Sequence, residues 1–411
     1  MTPKLLNKED KIFFANLDGL RFLAFMAVFI QHTNNAWVAN LHFYRHYWDR
    51  VLNLLLHLGA QGVSFFFVLS GFLITYLLLQ ETEKKGRVNV VYFYIRRALR
   101  IWPLYYLLVI LEFTVFPIIC KYAGLQTTPG ISPLYVVTFL SNFNFLDIAK
   151  ASGFHHTMLG PIWSVAVEEQ FYFIWPLLFY FIPKKFYKYI FPAIVVLCYV
   201  FRYQHRADGS TMYFHTLSVC GDLAIGGLFA YYAFYSTKFK SWFQNLTKLQ
   251  TALIYFLGFC WLLFSSQTHH AQSVGLFMRI GNCLLFAFVI LEQNYNQRSL
   301  FKLSNNRFMS KWGKYTYGLY LLHPIGVDLA TEVGNKYFGA YSRSLFINEL
   351  AFRLIALIIS FVVSYVSYEF FEKHFLKLKD RFAIVKTRSH TKEASTITSN
   401  ATDETLETKL S

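Results

Sequence analysis

The chain has 411 residues, of which 55% are hydrophobic, 20% aromatic and only 15% charged, against about 25% charged in an average soluble domain. Two or three soluble domains of ordinary size could not bury that much apolar surface with so little charge to cover the outside, whereas a bilayer is itself the solvent for an apolar exterior. The net charge of +16 raises the question of nucleic acid, but Lys and Arg concentrated in cytoplasmic loops account for it in a membrane protein, so no nucleic-acid partner is expected. The five cysteines are scattered, with no CxxC or metal-ligand spacing. A disulfide scaffold is excluded and no metal site is expected.

The polar stretch 1–10 opens the chain, and the apolar run that follows has no small-residue cleavage site, so no removable leader is expected. Runs approaching the roughly 17–25 residues of a spanning helix lie at 17–38, 58–80, 101–119, 162–182, 189–203, 213–236, 249–267, 275–292, 315–332 and 346–371. Segment 131–149 is too polar to join them, with Ser132, Pro133, Ser141, Asn142, Asn144 and Asp147 among its apolar residues. Loop charge decides its status. With ten spans and an inner N-terminus, the inner segments hold 26 Lys and Arg and the outer segments 8, as the positive-inside rule requires. A further span at 131–149 would invert everything after it. The sequence therefore predicts an all-α polytopic transmembrane helical bundle of about ten spans, both termini cytoplasmic, with 120–161 as an outer excursion, interfacial or re-entrant. Residues 1–385 form the membrane domain. Residues 386–411, rich in Ser, Thr, Lys and Glu, cannot bury enough apolar surface to order themselves and are expected to be a disordered cytoplasmic tail.

Ionisable groups inside a membrane are costly and mark sites. The first run contains Leu17-Asp18-Gly19-Leu20-Arg21 and ends near His32. Arg21 and His32, eleven residues apart, share a helix face and stand roughly 16 Å apart along the axis, while Asp18 and Arg21 are spaced to pair. The block Arg96-Arg97-Ala98-Leu99-Arg100 is first a topology signal. Arg97 and Arg100, one helical turn apart, could also present two planar forks to a phosphate-bearing ligand. In Trp163-Ser164-Val165-Ala166-Val167-Glu168-Glu169-Gln170-Phe171-Tyr172, a desolvated carboxylate must find a partner or a proton, and Glu168 lies at a depth compatible with His32. The small residues of Gly62 to Ser70-Gly71-Phe72 suit close helix packing. Asp222, Arg279 and His323 read as structural pairs before catalysts. His155-His156 has no supporting ligand spacing.

Taken in order, these blocks resemble the acyltransferase 3 family of integral membrane O-acyltransferases. Arg21 through His32 is similar to its Arg-x10-His signature. Ser70-Gly71-Phe72, Arg96 to Pro103, Trp163-Ser164 to Tyr172, and Tyr317-Gly318-Leu319-Tyr320 through His323 match its further motifs, over about residues 13 to 376. Phe22 departs from the Gly that often follows the arginine in relatives. Some relatives add an extracytoplasmic hydrolase-like domain, which the short tail here is expected to lack. The resemblance implies transfer of an acyl group, often acetyl, from acyl-CoA as co-substrate, with no bound cofactor. The acceptor would be a hydroxyl of a cell-surface glycan or lipid-linked sugar, and the location the bacterial cytoplasmic membrane. In that reading His32, of a residue type with pKa about 6.5, is the general base and Glu168 orients it. Arg97 and Arg100 hold CoA phosphates, and Arg21 lines the path between. The competing expectation is a transporter or flippase of lipid-linked sugars, which also sets charges within a helical bundle.

The charge distribution makes a direct prediction. A topology reporter fused after Ala123 should read as external and one after Gly86 as internal. The opposite pair of readings would invert the bundle and the side from which any donor enters.

Overall fold

A computed structural model describes residues 14–38, 59, 61–123, 130–151, 157–267, 274–337 and 345–382, and among these the chain is helical with no strand. The described residues of the ten apolar runs are almost all helical, with 101–119, 213–236 and 346–371 each divided between successive helical elements. The first is α1 (Leu17–Val38), followed by α2 (Gln61–Lys85) and α3 (Val90–Ile110), which passes through a π-helical turn, Leu111–Val115, into α4 (Phe116–Ala123). Next come α5 (Pro133–Val137), α6 (Ser141–Ala151), α7 (Ile162–Phe181), α8 (Tyr187–Gln204), α9 (Gly209–Phe214), α10 (Thr216–Tyr235) and α11 (Thr237–Gln244). The chain continues with α12 (Lys248–Gln267), α13 (Val274–Tyr295), α14 (Arg307–Gly313), α15 (Thr316–Tyr337) and α16 (Leu345–Ser367), and a second π-helical turn, Tyr368–Glu372, leads into α17 (Lys373–Lys379). Among the described residues, six helical stretches are long and apolar enough to cross a membrane: Gln61–Lys85, Val90–Ile118, Lys184–Gln204, Gly209–Tyr235, Lys248–Ser266 and Leu350–Phe382. Residues 386–411 and the His155-His156 pair lie outside the described residues.

The polar segment 131–149 is built as two short helices, α5 and α6. Eleven residues of α6 rise roughly 16 Å, about half of a hydrocarbon core of roughly 30 Å, so neither helix can cross. Polar side chains attach the segment to the bundle. Asn142 Nδ2 donates to Phe214 O and Thr216 Oγ1, both at 3.1 Å. Gln170 Nε2 donates to Phe139 O and Asn142 Oδ1, both at 2.8 Å. Asn142 is one of the polar residues that make the segment a poor span, and it is buried with its side chain hydrogen-bonded.

Between membrane helices the apolar driving force is weak, and small residues that admit close backbone approach take its place. The α2–α10 contact is of this kind. A Cβ on Gly71 would lie 1.9 Å from Leu223 O, and one on Gly226 would lie 2.0 Å from Val68 O. Each glycine receives the other helix's backbone. A second tie is ionic: Arg279 of α13 grips Asp222 of α10 with Nε to Oδ1 at 2.9 Å and Nη2 to Oδ2 at 2.6 Å, the bidentate fork geometry. Asp222 is 1% exposed, so this pair is a structural brace. Phe22, which stands where family sequences often have Gly, is buried and packs edge-on against Phe308 at 5.5 Å and on Phe361 at 6.2 Å.

Gly71→Val should therefore destabilise the protein by more than the usual cost of core overpacking, about 1–3 kcal/mol, because the obstacle is backbone. Gly209→Ala, at a position with nothing within 4 Å, should be nearly neutral. Thermal unfolding of detergent-purified variants checks this, and equal stability for both would show that the glycine contact does not hold the helices together.

Candidate active site

The site begins at the start of α1. Asp18 lies in its first turn, where a carboxylate complements the helix dipole, and Arg21 Nη1 donates to Asp18 Oδ1 at 2.6 Å. α14 presses against this turn: a Cβ on Gly313 would lie 2.1 Å from Asp18 O. On α3, Asn89 caps the helix by accepting from Tyr92 N at 3.0 Å, which sets the rotation of the arginine block. Arg96 turns away, donating to Glu81 Oε2 and Phe382 O, each at 2.9 Å. The Arg97 guanidinium instead lies over the rings of Phe93, at 5.5 Å, and Tyr172, at 5.4 Å, a cation–π arrangement that replaces part of its hydration.

On α7 the two adjacent glutamates diverge. Glu168 Oε1 accepts from Ser70 Oγ at 2.9 Å, and Oε2 accepts from the Tyr172 hydroxyl at 2.8 Å. Glu169 points to α3, where Trp102 Nε1 donates to its Oε2 at 2.8 Å. Arg21, Arg97, Arg100 and Glu168 all line one cavity of about 120 Å³, bounded also by Tyr317 and Tyr320. Lys314, which is exposed, lines it too. The cations exceed the carboxylates on the wall, so the cavity suits an anionic ligand.

A hydroxyl pair also lines this cavity. Ser164 Oγ and the Tyr320 hydroxyl are 2.7 Å apart, and Ser164 Oγ donates to Pro161 O at 3.0 Å. A serine has one hydroxyl proton, so Tyr320 is the donor of the pair. Behind Tyr320, His323 Nδ1 lies 2.8 Å from the Tyr320 carbonyl oxygen, and His323 Nε2 lies 2.7 Å from His32 Nδ1. The two imidazoles are tilted with centroids 4.8 Å apart.

Thus Arg21, Arg97, Arg100 and Glu168, all singled out from the sequence, meet at one cavity. His32 adjoins it without lining it. The expected Glu168–His32 contact is corrected: the Glu168 oxygens are engaged by Ser70 and Tyr172, and His32 is paired with His323. Similar depth was the ground for expecting that contact, and depth along the bundle does not fix which face of α7 meets α1. The sequence reading quoted Ser70, Ser164, Tyr172 and Tyr320 within its motifs without giving them a role, and for His323 it put structural pairing ahead of catalysis. A signal for the last two was present. Thr316, Tyr320 and His323 are spaced four and three residues apart on α15, so they share a helix face.

Comparison with known proteins shows what the chain is similar to. A family model described as an acyltransferase domain matches residues 14–369. A peptidoglycan O-acetyltransferase of Listeria monocytogenes is 27% identical over 351 residues, covering 80% of this chain and 52% of its own length. A candidate peptidoglycan O-acetyltransferase of Bacillus subtilis is 28% identical over 382 residues, with 87% and 54% covered. A candidate O-acetyltransferase of Staphylococcus aureus is 26% identical over 362 residues, with 82% and 56% covered. The chain spans about half the length of the curated relatives it matches. No solved structure matches it significantly.

The split of the arginine block is testable. Arg96 and Glu81 are largely removed from water, at 19% and 3% side-chain exposure, and removing one partner of a buried pair costs about 3–5 kcal/mol. Arg96→Ala should lower stability by that order and leave donor affinity of the surviving folded protein unchanged. A stable Arg96→Ala protein with weakened donor binding would move Arg96 into the site.

Proposed function

The chain belongs to the acyltransferase 3 family, and we propose that it is a membrane O-acyltransferase moving an acyl group, acetyl in the simplest case, from acyl-CoA to a hydroxyl of a cell-surface glycan or lipid-linked sugar. Relatives named for peptidoglycan O-acetylation make a peptidoglycan sugar the first acceptor to try. The carrying observation is the cavity itself: three arginines, one hydrogen-bonded carboxylate and the Ser164–Tyr320 hydroxyl pair on its wall, with a histidine pair joined to the Tyr320 carbonyl. Family membership favours transfer over the flippase alternative.

The residues divide the work. Arg97 and Arg100 offer planar, permanently charged forks to the phosphates of CoA, and Arg21 continues the cationic wall inward. A cavity of about 120 Å³ is smaller than the roughly 300–1,000 Å³ of a drug-sized pocket. It suits a slender thioester arm, with the bulky nucleotide kept at the mouth. Glu168, fixed by Ser70 and Tyr172, balances the arginine charge and, through Tyr172, steadies Arg97.

In the reaction, His32 takes the proton of the acceptor hydroxyl as that oxygen attacks the thioester carbonyl. The new C–O bond forms, the tetrahedral intermediate collapses, and the C–S bond breaks. The thiolate leaves with the proton held by His32, giving an ester and free CoA. In this reading the polypeptide forms a ten-helix membrane bundle with cytoplasmic termini, in the cytoplasmic membrane, so that donor and acceptor approach from opposite sides.

Variants should separate binding from chemistry. Arg97→Ala and Arg100→Ala each remove charge-assisted bonds worth about 1.5–3 kcal/mol, or roughly one to two decades in donor affinity, with turnover partly recovered at high donor. His32→Ala should bind acyl-CoA normally and lose the roughly 10²–10⁴-fold that a general base supplies. Binding of a non-hydrolysable CoA analogue, CoA release and mass analysis of surface glycans read the three quantities. Normal turnover by His32→Ala overturns the mechanism, and unchanged donor affinity in both arginine variants overturns the phosphate assignment.

A further inference from the structure

The interior of α15 contains a proline, Pro324, directly after His323. In an unbroken helix the N–H of residue 324 would bond to the carbonyl of residue 320. Proline has no N–H, so the Tyr320 carbonyl lacks that helical donor. His323 Nδ1 occupies the vacated direction, 2.8 Å from the same oxygen. A carbonyl oxygen only accepts, so His323 carries its proton on Nδ1.

His323 is fully buried, with the rings of Phe25 and Phe29 centred 6.0 and 6.3 Å away. Such surroundings disfavour a cationic imidazolium and favour the neutral ring. Its Nε2 then holds a lone pair and can only accept. The atom 2.7 Å from it is His32 Nδ1, which must be the donor. A neutral His32 with its proton on Nδ1 has its basic lone pair on Nε2.

We propose that His323, released to do so by Pro324, is a positioning residue that locks His32 in the Nδ1–H tautomer and makes Nε2 the atom that accepts the acceptor hydroxyl's proton. This rests on the reading of His32 as the base. The device resembles in logic the carboxylate of a hydrolase triad, which holds its histidine in one tautomer, but here a neutral imidazole tied to a backbone carbonyl takes the carboxylate's place. When His32 gains a proton on Nε2, its Nδ1–H bond to His323 becomes charge-assisted and strengthens, so the pair favours the protonated base at the step that needs it. The same proton then leaves Nε2 for the departing thiolate.

The test reads the tautomer first. Nitrogen NMR of full-length, detergent-purified protein with labelled imidazole nitrogens, with His32 assigned by its loss in His32→Gln, should find His32 as Nδ1–H. In His323→Leu, which offers no acceptor, it should revert to the Nε2–H form that free histidine prefers. His323→Gln, which presents an amide oxygen near the place of Nε2, should keep the Nδ1–H form. Acylation of surface glycans in cells carrying each variant should fall roughly 10–100-fold for His323→Leu, the usual cost of losing a residue that orients a working histidine. It should be largely retained in His323→Gln, with CoA-analogue affinity unchanged in both. An Nε2–H signal in the unaltered protein overturns the inference, as does a tautomer unmoved by His323→Leu. A His32→Gln protein that still acylates would instead bring down the base assignment itself, whatever the tautomer.

Discussion

A guanidinium carried to the middle of a bilayer costs roughly 2.5–3.5 kcal/mol on insertion scales, and the cost falls only when other groups replace its water. Four of the described arginines meet that demand by recruiting different parts of the chain. Arg21 holds Asp18 one turn earlier on its own helix. Arg97 lies between rings from α3 and α7. Arg96 ties α3 to Glu81 on α2 and to the carbonyl of Phe382, and Arg279 ties α13 to Asp222 on α10. The arrangement of the helices is therefore largely an arrangement of shelters for cations. Two of these shelters, those of Arg21 and Arg97, meet at the cavity.

This constraint also divides the helices into two kinds. The stretches apolar enough to cross a membrane on composition include α2, α8, α10 and α12, and α2 and α10 lock through reciprocal glycine contacts. Among the described residues α1, α7 and α15 are more polar and carry Arg21 and His32, Glu168 and Glu169, and His323. Polarity that serves chemistry lowers a helix's own affinity for lipid, so these helices depend on packed neighbours for their place in the bundle.

The helices were legible because a spanning segment announces itself through one overriding property, its apolar length. Segment 131–149 was legible as an exception because Asn142 and Asn144 are too polar for lipid, and both sit in hydrogen-bonded burial. Arg21, Arg97, Arg100 and Glu168 were legible because charge in an apolar run is conspicuous. Their partners were not. Ser70, Ser164, Tyr172 and Tyr320 are uncharged residues that could as well face lipid headgroups or their own helix backbone, and only the rotation of each helix decides. The mistaken Glu168–His32 pairing has the same origin: sequence gives position along a helix axis more firmly than it gives the neighbour across it.

The separation of Arg21 from His32 on one straight helix acts as a ruler. Eleven residues set the two groups roughly 16 Å apart, and packing holds that spacing through Phe25 and Phe29, which lie between them and are buried. A ligand whose charge is held at Arg21 can reach His32 only through an extension of about that length, and the cavity that Arg21 lines, about 120 Å³ in volume, admits only a slender one. Acyl-CoA in the proposed reaction has that form: phosphates at one end, a reactive thioester at the end of a slender arm. In that proposed reaction a compact anion of similar charge would satisfy the arginines without reaching His32. Selection of the donor would then follow from length as much as from charge, and the same distance would keep Arg21 from competing for an oxyanion formed near His32.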